Sequence, residues 1–188
     1  AYLQHFTSGL WEPVLSGEVR WVNARRVYNQ APATDTWVGW SAPIKSANGS
    51  VSGATLTITP GSPGYVYHNN QVTYPAGTYL RFSFDVTATT LTGSGCKIRL
   101  AHVSPGAVQY FPCTTTGRYS LVTAAPAAGV FNFGLDNRVT DAGGDGTSGG
   151  SVTFANIQVE NVTVQVNRNP AEFVAKTAHN AGVAGVKY

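Results

Sequence analysis

The chain has 188 residues, 43% of them hydrophobic and 11% charged, with a net charge of +3. That length is enough for one domain with a proper core, and the low charge excludes a disordered chain or a coiled coil. The 12 lysines and arginines form no run, which argues against nucleic acid as a partner. No apolar stretch approaches the roughly 18 to 20 residues of a membrane span.

In chain order, residues 1–49 are the least regular and hold all the tryptophans, Trp11, Trp21, Trp37 and Trp40. "VSGATLTITP" alternates Ala54, Leu56 and Ile58 with Thr55, Thr57 and Thr59, the period of a half-buried strand. "YVYH" follows a "PGSPG" turn. In "LRFSFDVTA", Leu80, Phe82, Phe84 and Val86 share one face, and Arg81, Ser83 and Asp85 the other. "CKIRLAHV", "VQYFPC", "RYSLVT", "VFNFGL", "SVTFANIQVENV" and "TVQVN" continue the strand pattern. No helical stripe occurs before residue 170, where "PAEFVAKTAHNAG" predicts one short helix with Pro170 in its first turn. About ten strands joined by short turns predict an all-β antiparallel sandwich over residues 50–167. Residues 1–49 are expected to be an irregular segment of the same domain, and 168–188 an extension or a linker into further chain. The lack of methionine at position 1 and the unpunctuated end "AGVAGVKY" lead to the expectation that the chain is part of a longer product.

Between "VFNFGL" and "SVTFANIQVENV" lies a run rich in glycine and aspartate. It lacks the GxxxxGK[ST] and GxGxxG spacings of a phosphate cradle. Asp136, Asp141 and Asp145 are not spaced as in a hand-type calcium loop. The run therefore reads as a flexible, exposed connection without metal, with structural calcium as the alternative. Catalytic signatures are missing too. His5, His68, His102 and His179 lie far apart, no G-x-S-x-G elbow occurs, and Asp85 and Glu160 have no evident carboxylate partner. The chain is expected to be non-enzymatic and to need no cofactor.

A turn at Ser104-Pro105-Gly106 would pair residue 102 with 107. Tyr110 then falls opposite Arg99 on the outer face, Phe111 opposite Ile98 on the inner one, and Cys96 opposite Cys113. Those cysteines are read as a disulfide or two buried thiols. Tyr110, Arg99, Lys97, Arg81, Asp85 and Asn132 are expected to share a polar sheet surface. Tyr65 and Tyr67, beside His68 and Asn69, make a second aromatic platform. Sugar recognition needs flat rings for the apolar sugar face and planar polar groups for hydroxyls, so these are the candidate ligand residues. An ordinary solvated sheet is the alternative.

The succession "AGTYLRFSFDVTAT", "KIRLAHV", "TTTGRYSLVTAA", "VFNFGLDN", "GGSVTFANIQVEN" resembles the jelly-roll of carbohydrate-binding modules. The closing stretch "ANIQVENVTVQVNRNPAEFVAKTAHNAGVAGVKY" resembles a segment of bacteriophage virion proteins, in which a similar jelly-roll leads into further chain. Asn156 stands about where such modules carry an aspartate near a structural calcium. Together the resemblances imply a virion-surface protein on capsid or tail that aids attachment to host-surface polysaccharide. Its other partners would be virion proteins or copies of itself, in a homo-oligomer or larger assembly. A structural head fibre, decoration or tail protein without sugar binding is the first alternative. A module of a polysaccharide-degrading enzyme is the second. Residues 168–188, with Phe173, Val174, Val183, Val186 and Tyr188, are expected to dock outside the sandwich.

Overall fold

The computed structural model describes residues 2–4, 11–13, 29–32, 36–103 and 108–164. The turn at 104–106, the side chains of Trp11 and Trp21, the helix expected from 170 and the docking segment 168–188 lie outside the described residues.

The described elements are β1 (Tyr2–Gln4), β2 (Trp11–Pro13), β3 (Ile44–Lys45), β4 (Gly49–Ser52), β5 (Thr55–Ile58), β6 (Tyr65–Asn69), β7 (Tyr79–Thr89), β8 (Lys97–His102), β9 (Val108–Phe111), β10 (Gly117–Ala124), β11 (Phe131–Asp136), a helical turn α1 (Val139–Ala142), and β12 (Gly150–Asn161). β1 and β2 pair with each other. The rest form two antiparallel five-stranded sheets, ordered β10-β7-β12-β5-β4 and β3-β6-β11-β8-β9. From β5 onward the chain crosses between sheets at nearly every connection, and only β8 and β9 are consecutive neighbours. The orders β5-β12-β7-β10 and β6-β11-β8-β9 that result are those of a jelly-roll. β4 and β3 lengthen the two edges.

Alternation explains why these segments form a sandwich. Leu80, Phe82, Phe84 and Val86 of β7 meet Phe131, Phe133 and Leu135 of β11 in one buried cluster, joined by Phe154 and Val159 of β12. The ring of Phe84 lies 4.9 Å from Phe133, and Phe133 lies 5.0 Å from Phe154 in edge-to-face contact. Ala31 and Trp40 also belong to this core, so the first fifty residues help to close it.

Two local expectations change. "VSGATLTITP" is not one strand but the β4–β5 hairpin, because Gly53 takes φ +56° and turns the chain back with Ser52 opposite Thr55. Thr163 and Val164 form a turn after β12 rather than starting a strand; the Thr163 hydroxyl donates to Asn161 Oδ1 at 2.6 Å and accepts from Tyr79 N. The glycine-rich connection, exposed over much of its length, also folds into a hydrogen-bonded loop. Buried Asn137 accepts from Gly64 N at 2.6 Å and donates to the carbonyls of Ser62 and Ser148. Asp145 accepts from Thr147 N, Ser148 N and the Ser148 hydroxyl. Gly95 and Gly144 permit this fold, since a Cβ on either would collide with Asp145 or with the Asn137 carbonyl.

Candidate functional site

The outer face of the β3-β6-β11-β8-β9 sheet gathers most of the candidate residues. Its register sets Tyr67 opposite Gly134, Gly134 opposite Arg99, and Arg99 opposite Tyr110. The next row along is Tyr65, Asp136 and Lys97, and the row on the other side is Asn69, Asn132 and Ala101. The two platforms expected separately are therefore one surface. His68 is not part of it. It alternates inward, is buried, and donates from Nδ1 to the Ser41 carbonyl at 2.8 Å.

Gly134 makes this surface flat at its centre. A Cβ there would collide with the Val66 carbonyl and with Tyr67, so β11 carries no side chain between Tyr67 and Arg99. The Arg99 guanidinium extends across the gap, with its Cζ 4.5 Å from the centroid of the Tyr67 ring. It donates to Asn132 Oδ1 at 2.6 Å, and its Nε lies 3.6 Å from Asp136 Oδ2. Arg138, just beyond β11, repeats the arrangement. Its Cζ lies 4.4 Å from the Tyr65 ring, while Nε and Nη2 grip Asp136, the shortest contact being 2.6 Å. Tyr65 and Tyr67 stack with centroids 5.5 Å apart. Asp136 and Asn132, buried although they point outward, form the base of a two-layer structure. Above them lie two guanidiniums held in place by the Asp136 carboxylate, the Asn132 amide and the two tyrosine rings. Such charge-assisted bonds are short and directional.

Arg81 and Asp85 are not on this surface. Both belong to β7 in the opposite sheet, where Arg81 donates to the Ser120 hydroxyl at 2.9 Å and Asp85 pairs with Arg118 at 3.1 Å. Alternation assigns a residue to one side of its strand and says nothing about which sheet the strand joins, hence the misplacement. On that second outer face Arg81, Ser83, Gln158 and Glu160 are buried, and Gln158 Nε2 donates to Glu160 Oε1 at 2.8 Å. Asn156 sits in the bulge of β12 with φ +49° and donates to Asp85 Oδ2 at 2.6 Å. An aspartate at 156 would set two carboxylates against each other; the amide supplies a donor instead.

Cys96 and Cys113 are both buried and free, without a bridge. The β8–β9 ladder pairs Ile98 with Phe111 but ends there. Pro112, which lacks an N–H, precedes Cys113 and cannot extend it. Burial pushes the Cys96 thiol up to about 12, with the charges of Asp136 and Asp145 adding to the effect, and burial raises Cys113 as well. Both thiols are poor nucleophiles in the fold. At the edge of the sandwich, Trp37 stacks on His68 with centroids 4.3 Å apart and meets Trp40 edge-on. Trp37, Trp40, Val51 and His68 line a shallow depression there. Both tryptophans pack on or in the core cluster, so they act chiefly as a plug for the open edge.

No protein-family model matches the chain, and no curated protein matches it. Among solved structures it is similar to the enzymatically active domain of tailspike protein 4 of bacteriophage CBA120, with 17% identity over 72% of this chain and a TM-score of 0.43. It is also similar to the CBM22-1 and GH10 modules of an endo-1,4-β-D-xylanase from Clostridium thermocellum, complexed with xylohexaose, with 12% identity over 77% of this chain and a TM-score of 0.41. A family 29 carbohydrate-binding module matches 71% of this chain and 84% of its own length, at 15% identity and a TM-score of 0.33. The chain spans 21% of the tailspike domain and 30% of the xylanase.

Arg138 and Asp136 went unrecognised as site residues. For Asp136 the signal was present, because it continues the alternation of Asn132 and Gly134 in "FNFGLDNR". Arg138 lies beyond the strand and had no such signal. Among the described residues, no group of three His, Cys, Asp or Glu side chains is placed to hold a metal ion, and no helix is long and apolar enough to cross a membrane.

Proposed function

We propose that this chain is a non-catalytic bacteriophage virion-surface protein whose jelly-roll attaches to host-surface polysaccharide through the outer face of the β3-β6-β11-β8-β9 sheet. The observation that carries this reading is the pre-set surface of Tyr65, Tyr67, Arg99, Asn132 and Tyr110. Stacked rings lie beside oriented guanidiniums on a sheet flattened by Gly134. Aromatic rings suit the C–H face of a sugar, and fixed planar donors suit its hydroxyls. A rigid arrangement limits the entropy lost when a flexible glycan is bound. The virion setting, on capsid or tail, rests on the resemblance of residues 155–188 to phage virion proteins. Arg81 and Asp85 are left out of the ligand set because they stand on the opposite sheet.

The test is a glycan array probed with the isolated chain and with the Tyr67→Ala variant. Binding to at least one surface polysaccharide, weakened by the substitution, is expected. A chain that binds no glycan while assembling into particles would favour the purely structural virion component.

A further inference from the structure

The charge of the proposed surface narrows its ligand. The five strands of the sheet bring two cations, Lys97 and Arg99, and one carboxylate, Asp136, to this face, and Arg138 beside β11 adds a third cation. Asp136 is wholly buried beneath the guanidiniums. The nearby Asp145 turns into its own loop, towards Thr147 and Ser148.

Arg99 is the informative residue. Its guanidinium carries a fork of N–H donors, of which Nη1 is engaged by Asn132. Nε is buried with no hydrogen-bond partner and faces Asp136 only at 3.6 Å. Nη2 makes no hydrogen bond to a described residue. The side chain is held from below and from the Tyr67 side, and is 12% exposed. A cation fixed in this way loses little freedom on binding and keeps its Nη2 for an anion. A neutral sugar would leave Arg99 only its 3.6 Å approach to Asp136, which Arg138 already grips, whereas a carboxylate on the sugar would meet it with charge-assisted bonds.

We infer that the Arg99–Tyr67 surface selects acidic saccharides, with a sugar-borne carboxylate such as that of a uronate placed against Arg99 and the sugar ring against the tyrosines. The inference rests on the polysaccharide-binding reading above and specifies its ligand class. Arg138 and Lys97 strengthen the field around the carboxylate, and added salt weakens the complex.

The experiment is titration calorimetry with a panel of uronate-containing bacterial capsular polysaccharides. Each is tested beside its carboxyl-reduced, neutral form, with polyglutamate as an anion without sugar. The expected result is binding of at least one acidic member that falls by about tenfold or more on carboxyl reduction and equally in Arg99→Gln, with polyglutamate bound far more weakly. Arg138→Gln provides a second variant should Arg99→Gln fail to fold. Equal affinity for an acidic polymer and its reduced form would overturn the inference and leave polysaccharide binding standing. Polyglutamate binding as strong as the glycans would overturn it by reducing the surface to charge alone. Binding of no member of the panel, with neutral glycans bound on the array, would overturn it too. Silence in both assays would overturn both readings.

Discussion

Arg99 and Arg81 occupy comparable places, each on the outward side of an interior strand of its sheet. Arg99 lies beside a tyrosine ring on an accessible face, while Arg81 is 6% exposed among Ser83, Gln158 and Glu160, none more than 1% exposed. Identical alternation thus produces two polar faces in opposite conditions. One is organised by cation–ring contacts and a buried carboxylate and remains open to a ligand. In the other, buried groups answer one another within the chain, as the Arg81–Ser120–Ser83 chain of bonds and the Gln158–Glu160 bond show. Polarity alone therefore does not identify a binding face; the combination of fixed geometry and access does.

The comparison predicts different costs for matched substitutions. Arg81→Ala leaves the half-buried Ser120 hydroxyl without this donor and opens space beside buried Ser83 and Glu160, and should destabilise the fold by about 1–3 kcal/mol. Arg99→Ala takes a donor from buried Asn132 but leaves Asp136 in the grip of Arg138, so its cost should fall at the low end of that range, about 1 kcal/mol. Urea unfolding of the two variants checks this, and equal losses would erase the distinction between the faces.

A smaller effect separates the two sides of β6. His68, inward beside outward Tyr67, has its pKa lowered by burial, opposed by its bond to the Ser41 carbonyl. The unfolded chain therefore takes up a proton that the folded chain resists. The stability contribution is complete above the ordinary value of 6.5 and declines as pH falls below it. Stability measured from pH 7.5 to 5, with pH values chosen to span roughly that titration, should fall more steeply for the native chain than for His68→Gln. Matching slopes would contradict the assignment.

The smallest effect belongs to the loop after β11. Bonds from the Ser148 hydroxyl, then from the Ser148 and Thr147 amides, hold the Asp145 carboxyl well below the usual carboxylate range. Its contribution is complete above the ordinary 3.8 and is lost as pH falls through the depressed folded value. Asp145→Ala should lower the melting temperature slightly at pH 7, and the difference should shrink in acid. A difference that grows in acid, or a calcium-dependent rise in melting temperature abolished by Asp145→Ala, would count against the loop as described.

Much of the fold was legible because a sandwich core imposes a period of two on each strand. Phe82 and Phe84 in β7, and Phe131 and Phe133 in β11, could be placed inward from the sequence. The turn at 104–106 was enough to set Arg99 opposite Tyr110 and Ile98 opposite Phe111, since register follows from turn position. Sheet membership was not legible. β7 and β8 are consecutive in sequence yet lie in different sheets, which removed Arg81 and Asp85 from the site. Nor was the folded loop legible, because Asn137 and Asp145 act through contacts with Ser62, Gly64 and Gly95, far away in sequence. Tyr65 and Tyr67 joined Arg99 only because β11 lies between β6 and β8, a long-range pairing that no local pattern reveals.

The central claim is that the β3-β6-β11-β8-β9 face, and not its counterpart, meets a saccharide. The most direct test is to titrate the isotope-labelled chain with oligosaccharides from the best-binding polysaccharide and to follow amide and side-chain NMR shifts. The account predicts that the changes concentrate at Tyr65, Tyr67, Asn132, Gly134, Arg99 and Tyr110, while Arg81, Ser83 and Gln158 stay unmoved. Shifts centred on β7 and β12, or on the Trp37 edge, would contradict it.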